Sequence, residues 1–393
     1  MADRTARTPR HQASVGPMRI VLLGATGFTG RLTAEAMVRA GMAPVLAGRR
    51  HDAVARLADR LAPLAPSADT EPTIAVADAD DPATVRRLIQ SGEDILVTTV
   101  GPFMEYGHAA VEAAVDAGAG YLDSTGEPPF IREVFEVYGP QAEKTGARLL
   151  PAFGYDYVPG NLAGALALTH ARAAGTPASR VDIGYFVEGD FAISSGTRAS
   201  AAGVLLAPSY AWRNGVLDTV RSGSGGTRTF DVGRDRQWSA MPVAGSEHLA
   251  LPRLDSELSD VGVWLGWAGK WTPVAAAAGS ALGALATLPG MESALGGLRR
   301  RAARTTGKGP DARKRSNARS LVVADASDIV GRPVASVRMV GPTPYDLTAE
   351  LLAWGAVTLA TTDVAPGAHG PVDAFGLDAL ERGCADMGLI AVT

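Results

Sequence analysis

Arg19-Ile20-Val21-Leu22-Leu23-Gly24-Ala25-Thr26-Gly27-Phe28-Thr29-Gly30 is the stretch that decides the fold. Arg19 to Leu23 is β-branched and apolar and stops at Gly24, the pattern of a short buried strand. Phe28 to Ala40 carries a helical pattern closed by Gly41. Between them stand Gly24, Gly27 and Gly30, each three residues from the next. A pyrophosphate needs backbone N–H groups at a helix N-terminus and no side chain blocking its approach, and this spacing supplies both. A tight structural turn would also use glycine. The strand–loop–helix context makes the stretch specific for a dinucleotide. Gly24, Thr26, Gly27, Phe28, Thr29 and Gly30 are therefore candidate cofactor contacts.

Outward from that loop, short apolar runs alternate with helical patterns. Pro44 to Ala47 reads as a second buried strand. His51 to Leu61 reads as a helix with Val54, Leu57 and Leu61 on one face. Thr73 to Ala77 reads as a third strand, Asp81 to Gln90 as a helix and Asp94 to Val100 as a fourth apolar run. Such alternation specifies a parallel sheet covered by helices on both faces. After Phe153 it weakens into serial strands, among them Val181 to Val187 and Leu321 to Ala324. Asp346 to Thr361 and Phe375 to Met387 look helical. The expected fold is α/β, a Rossmann-type doubly wound parallel sheet with a second, mixed α+β domain. The boundaries follow: a disordered arm at 1–17, the nucleotide-binding domain at 18–153, a substrate domain at 154–344, and helices at 345–393 packing back on the first domain.

Composition narrows the class. The chain has 393 residues, a length that suits two domains. A net charge of -4 gives no general pull towards nucleic acid or an anionic membrane. The single cysteine, Cys384, excludes a disulfide framework and a cysteine-based metal site, and fits a reducing cytoplasm. No apolar run is long enough to span a bilayer; the nearest, Trp271 to Leu298, is interrupted by Pro273, Pro289 and Glu292. No His/Cys cluster suggests a metal. A soluble cytoplasmic protein is expected.

The second strand ends Ala47-Gly48-Arg49-Arg50. An NAD site would place an acidic residue there to bind the ribose hydroxyls. Two guanidiniums suit a 2′-phosphate instead, which points to NADP(H); the alternative is a pair of solvated arginines. Asp78, after the third strand, either accepts from the adenine amino group or caps a turn. Gly101 and Pro102 follow the fourth strand at the carboxyl edge, where ligands lie, and Gly101 would let backbone approach the nicotinamide half; an ordinary Gly-Pro turn is the alternative.

Taken in order, GATGFTG (24–30), AGRR (47–50), VGPF (100–103), Tyr121-Leu122-Asp123-Ser124-Thr125-Gly126-Glu127 and Gly154-Tyr155-Asp156-Tyr157-Val158-Pro159-Gly160 resemble the saccharopine dehydrogenase-like oxidoreductases. The branch most similar is that of the trans-acting enoyl reductases of lipid and polyketide pathways. The likeness runs from Met18 to about residue 205 and returns faintly at Gly309 to Leu359. Two positions depart from the family pattern. Tyr157 stands where the family often has Ser, and Ser195-Gly196-Thr197 is followed by Arg198 where an apolar residue is common. Both bear on the substrate. The resemblance implies reduction by NADPH of an activated C=C bond on a hydrophobic acyl or polyketide-like intermediate of secondary metabolism or lipid synthesis, with a thioester on CoA or an acyl carrier protein as one form of the substrate. A homodimer is also expected.

Hydride transfer is the cofactor's chemistry; the protein must orient the acceptor and supply a proton. None of the 8 tyrosines has Lys four residues later, so the Tyr/Lys pair of short-chain dehydrogenases is absent. Tyr155, Asp156, Tyr157 and Arg198 are the catalytic candidates, with Tyr345 and His108 as further possibilities. Asp123 and Glu127 read as loop-forming groups. Trp264, Trp267 and Trp271 are spaced to share a helical face, as a core stripe, a wall for an apolar substrate or a membrane-surface contact. The basic run from Arg299 to Arg319 reads as a solvated loop or as a docking patch for an acidic carrier protein. Two rivals stand beside this reading. One is C=N reduction, with Arg198 clamping a substrate carboxylate. The other is a non-catalytic NADPH-binding regulator or scaffold.

Overall fold

The computed structural model describes residues 18–189, 209–221, 225–267, 309, 315 and 317–392. The first sheet holds β1 (Ile20–Leu23), β2 (Val45–Gly48), β3 (Thr73–Val76), β4 (Ile95–Thr98), β5 (Gly120–Asp123) and β6 (Arg148–Leu150). The second holds β7 (Arg180–Glu188), β8 (Ser209–Arg213), β9 (Val216–Val220), β10 (Arg228–Asp231), β11 (Gln237–Pro242), β12 (Asp260–Leu265), β13 (Arg319–Ser327) and β14 (Pro333–Gly341). Two short late strands, β15 (Gly367–Ala368) and β16 (Ile390–Val392), join the first and second sheets respectively.

The first sheet is parallel throughout, in the order β15-β6-β5-β4-β1-β2-β3. The order reverses between β1 and β4, which makes the crevice above their carboxyl ends the place where such sheets bind ligands. β1, β2, β4 and β5 are wholly buried, as continuous apolar strands between two helical layers must be. β3 closes the sheet as an exposed edge. The second sheet is mixed: β7 pairs parallel with β12 and antiparallel with β13, and β14 and β16 follow.

The chain crosses between the sheets more than once. The helix Val158–Ala173 leaves the first sheet and packs on β7, β13 and β14. It is buried on nearly every side, which its Ala-, Leu- and Gly-rich sequence permits. The helix Pro344–Thr361 returns, lying against the helix Phe28–Arg39 and across β4 and β5. One continuous apolar core runs through both units, and a smaller one around Phe186 and Phe230 lies apart from it within the second sheet.

Several local expectations change. The helix expected at Asp81 to Gln90 shortens to Pro82–Arg86. The one expected at Phe375 to Met387 divides at Gly376, whose φ of 78° ends the helix Pro371–Phe375 before Leu377–Asp386 begins. The terminal segment does not pack on the first domain alone: the helix Leu377–Asp386 contacts Val158–Ala173, and β16 extends the second sheet. Trp264 lies on β12, not on a helix, and gives its indole N–H to Asp182; Trp267 follows the strand; Trp271 falls outside the described residues. Most of the basic run also falls outside them. Arg315, within reach, is paired to Asp346 at 2.8 Å.

Candidate functional site

Each glycine of the opening loop has its own task. Gly24 sits at φ 84°, and a Cβ there would lie 2.7 Å from the Val100 side chain, so the turn and the approach of the 99–100 segment both require glycine. Gly27 caps the helix Phe28–Arg39. A Cβ on Gly27 would touch only the Gly24 carbonyl, at 3.1 Å, and the side facing outward from the helix N-terminus is open. A Cβ on Gly30 would come within 2.2 Å of that same carbonyl, so the helix can start this close to the strand only without a side chain. The first turn of the helix carries no acidic residue to repel an anion. The Phe28 ring is held edge-on by Tyr345, with centroids 5.0 Å apart. These features fit a pyrophosphate.

Beside the loop, Thr26, Arg31, Arg50, Arg56 and Arg60 border an open depression of about 560 Å³. The Arg31 guanidinium donates to the Thr26 carbonyl at 2.7 Å, and burial together with the nearby Arg60 charge lowers its pKa. Arg50, Arg56 and Arg60 form no ion pair among the described residues. Of the two arginines singled out in the sequence, only Arg50 borders the depression. Arg49 is exposed and its charge is felt by Tyr106. Arg31, Arg56 and Arg60 were not singled out. Arg56 and Arg60, one helical turn apart, carried the signal that could have found them. Asp78 ties a turn: its carboxylate accepts from the Asp80 N–H at 3.2 Å, and its backbone brackets Thr84.

The loops at the carboxyl edge are knotted together. The Glu127 carboxylate accepts from the N–H groups of Phe103 (2.8 Å) and Met104 (3.1 Å), fixing the chain just after Gly101 and Pro102. Asp123 accepts from the Tyr121 hydroxyl and from the N–H groups of Thr125 and Ala152, each at 2.8 Å. Burial pushes its pKa up to about 6, against the pull of those hydrogen bonds. Both carboxylates thus build loops. His108 pairs with Glu133 at 3.2 Å.

The 154–157 turn brings its residues to different ends. Asp156 is half-buried and lines a narrow cavity of about 70 Å³ with Thr29, Ser124, Tyr155, Trp267, Tyr345 and Thr348. Its carboxyl has no hydrogen-bond partner among the described residues, and burial raises its pKa to about 7. Gly126 lies beside it: a Cβ there would sit in ordinary contact, 3.4 Å from Asp156 Oδ2. Tyr155 lines the cavity with its ring, but its hydroxyl donates to the Phe186 carbonyl at 2.9 Å and is committed to the second sheet. Tyr157 is buried against Tyr185, ring centroids 5.9 Å apart, and does not border this cavity. Pro159 and Gly160 lie in the first turn of the helix Val158–Ala173. Arg198 and the 195–197 segment lie outside the described residues. No group of His, Cys, Asp or Glu that could hold a metal occurs among the described residues. No helix among them is long and apolar enough to cross a membrane.

A buried cluster beneath this turn had no counterpart in the sequence reading. Glu247 is fully buried and shares a 2.5 Å hydrogen bond with the Tyr185 hydroxyl. Asn161 bridges the Tyr157 carbonyl (3.0 Å) and the Ser246 hydroxyl (2.9 Å).

No family model matches the chain. It is 47% identical over 154 residues to a putative trans-acting enoyl reductase of Mycobacterium tuberculosis, covering 39% of this chain and 35% of that protein. It is 39% identical over 145 residues to the trans-acting enoyl reductase of Mycobacterium ulcerans, covering 36% of this chain and 34% of the other. The match thus spans about a third of the length of these curated relatives. Among solved structures, saccharopine dehydrogenase (L-Glu forming) of Saccharomyces cerevisiae superposes with a TM-score of 0.58 at 13% identity, over 96% of this chain and 100% of that one. Homospermidine synthase of Legionella pneumophila, solved in complex with NAD, gives 0.59 at 9% identity, over 96% and 91%. At such identities these two share the fold. The chain is thus similar in sequence to trans-acting enoyl reductases over about a third of their length, and it shares the fold of saccharopine dehydrogenase and homospermidine synthase.

Proposed function

We propose that the protein is an NADP(H)-dependent reductase that adds hydride and a proton across an activated C=C bond of a hydrophobic acyl or polyketide-like substrate. The observation that carries this reading is the Asp156 carboxyl: without a hydrogen-bond or ion-pair partner among the described residues, half-buried, and in one cavity with Thr29 of the dinucleotide loop. Gly24, Gly27 and Gly30 would hold the pyrophosphate, Arg31, Arg50, Arg56 and Arg60 the 2′-phosphate, and Gly101 and Pro102 the nicotinamide half. The bound cofactor supplies the hydride. The remaining work is a proton. With its pKa raised to about 7, Asp156 holds one near neutrality and can give it to the carbon next to the activating carbonyl as hydride arrives at the far carbon. Tyr155 and Trp267 stack on one another and wall the cavity. Tyr155 and Tyr157 position the turn and are not the acid.

The C=N alternative would need cations for substrate carboxylates. No Arg or Lys lines the Asp156 cavity among the described residues, which favours a neutral acceptor; Arg198 keeps the alternative in play. A homodimer and a substrate carried as a thioester belong to the same proposal. The deciding experiment follows NADPH oxidation against α,β-unsaturated acyl thioesters, cyclic imines and imine-forming amino acid/keto acid pairs. Turnover with the thioesters alone is expected. Turnover with the imines alone would replace the reading by its rival, and tight NADPH binding with no turnover would favour the regulator.

A further inference from the structure

We infer that Glu247 is a positioning residue that works as an uncharged acid, clamping the turn that carries Asp156 through Tyr185. The inference rests on the role proposed for Asp156, and its chemistry comes from counting protons around one oxygen.

The Tyr185 hydroxyl meets the Gly160 N–H at 2.9 Å, the Tyr157 carbonyl at 3.2 Å and Glu247 Oε1 at 2.5 Å. The amide can only donate and the carbonyl can only accept. Tyr185 has a single proton. If it goes to the Tyr157 carbonyl, the short contact to Glu247 closes only when Glu247 brings a proton of its own. With Glu247 ionised, Tyr185 turns its proton to the carboxylate and gives up the Tyr157 carbonyl, which keeps the Asn161 side-chain and backbone N–H groups at 3.0 and 3.2 Å. The neutral acid lets Tyr185 keep its contacts to Glu247 and to the Tyr157 carbonyl together.

The surroundings agree. Among the described residues Glu247 Oε2 is buried without a hydrogen-bond partner, which favours the neutral acid over the carboxylate. The groups facing Glu247 are Tyr185 on β7, Tyr157 and Asp156 on the turn, and Tyr210 on β8. None is cationic. Its helix neighbour His248 is itself kept neutral by burial, its pKa lowered to about 4. Burial first, and then the Asp156 charge, raise the Glu247 pKa to about 8, partly offset by the Tyr185 hydrogen bond and by Glu247's own backbone N–H. Two glycines make the room: a Cβ on Gly160 would fall 2.1 Å from the Tyr185 hydroxyl oxygen, and one on Gly245 would fall 2.3 Å from Glu247 Oε2.

The test uses Glu247→Gln, which keeps a donor for Tyr185 without a charge, Glu247→Ala, which keeps neither, and Tyr185→Phe. Infrared difference spectra at pH 6 should show a carboxylic-acid C=O band in the wild type that Glu247→Gln lacks and Tyr185→Phe shifts. Loss of a carboxylate band instead would overturn the inference. A raised native pKa adds stability that is full below the unfolded value near 4.5 and is lost as pH rises to about 8. The melting temperature of Glu247→Gln relative to wild type should therefore climb from pH 5 to 8 and then level off; a flat difference would count against the clamp. In the assay above, Glu247→Gln should keep kcat within about twofold, whereas Glu247→Ala should lose at least tenfold in kcat with NADPH affinity unchanged. Wild-type turnover by Glu247→Ala would refute positioning. If the wild type turns over no acceptor, the proposed function fails, while the infrared and melting arms still decide the state of Glu247.

Discussion

Replacing Arg50 and Arg60 together by Ala should separate the two nicotinamide cofactors. Both guanidiniums border the depression beside Thr26 and neither has an ion-pair partner among the described residues, so a 2′-phosphate would be their principal counter-charge. A charge-assisted hydrogen bond contributes about 1.5–3 kcal/mol net, and exposed arginines belong at the low end. Two such losses come to about 3 kcal/mol, on the order of a hundredfold in Kd at 1.4 kcal/mol per decade. NADH lacks the phosphate, and its affinity should move less than about twofold on the same reasoning. Arg49→Ala is the internal control: Arg49 does not border the depression, and its removal should leave both cofactors alone. Fluorescence titration of NADPH and NADH against the three proteins measures all of this, and salt should weaken NADPH more than NADH. Equal wild-type affinity for the two cofactors, or a double variant that weakens both alike, would refute the reasoning.

Further expectations follow from single contacts. Gly27→Val should abolish dinucleotide binding with circular dichroism unchanged, because a Cβ there meets only one protein atom and fills the ligand's space. Asp156→Asn should lower kcat at least tenfold, in line with the usual scale of general acid catalysis. The wild-type rate should fall as pH rises through about 7, where the acid form is lost, and the variant should be flat across that range. Glu127→Ala leaves the Phe103 and Met104 N–H groups without their acceptor and should cost about 1–3 kcal/mol in urea unfolding.

What the sequence shows and hides follows from the range of the interactions. The nucleotide-binding unit is legible because its signals are local: a strand, a glycine loop and a capped helix within a dozen or so residues fix the crevice. Asp156 was legible as a candidate, yet nothing nearby distinguished it from Tyr155 and Tyr157. That distinction comes from the second sheet, whose Phe186 carbonyl takes the Tyr155 hydroxyl and whose Tyr185 packs on Tyr157. Trp264 and Trp267 mimic helical spacing, whereas the alternation of Val261 and Val263 with Gly262 and Trp264 is the strand signal that prevails. Glu247 opens a helix, where an acidic residue reads as a surface group at the positive end of the dipole. Only the tertiary fold reveals that Gly160, Tyr185 and Gly245 enclose it.

The central claim is tested most directly by tracing the hydride. NADPH deuterated at the transferable position of the ring is mixed with the protein and an α,β-unsaturated acyl thioester, and the product is analysed by mass spectrometry and NMR. The account expects one deuterium on the carbon β to the thioester carbonyl and one solvent-derived hydrogen on the α carbon, with the α proton delivered more slowly in Asp156→Asn. Label that stays on the cofactor with every unsaturated thioester, or passes only to an imine carbon, would contradict it.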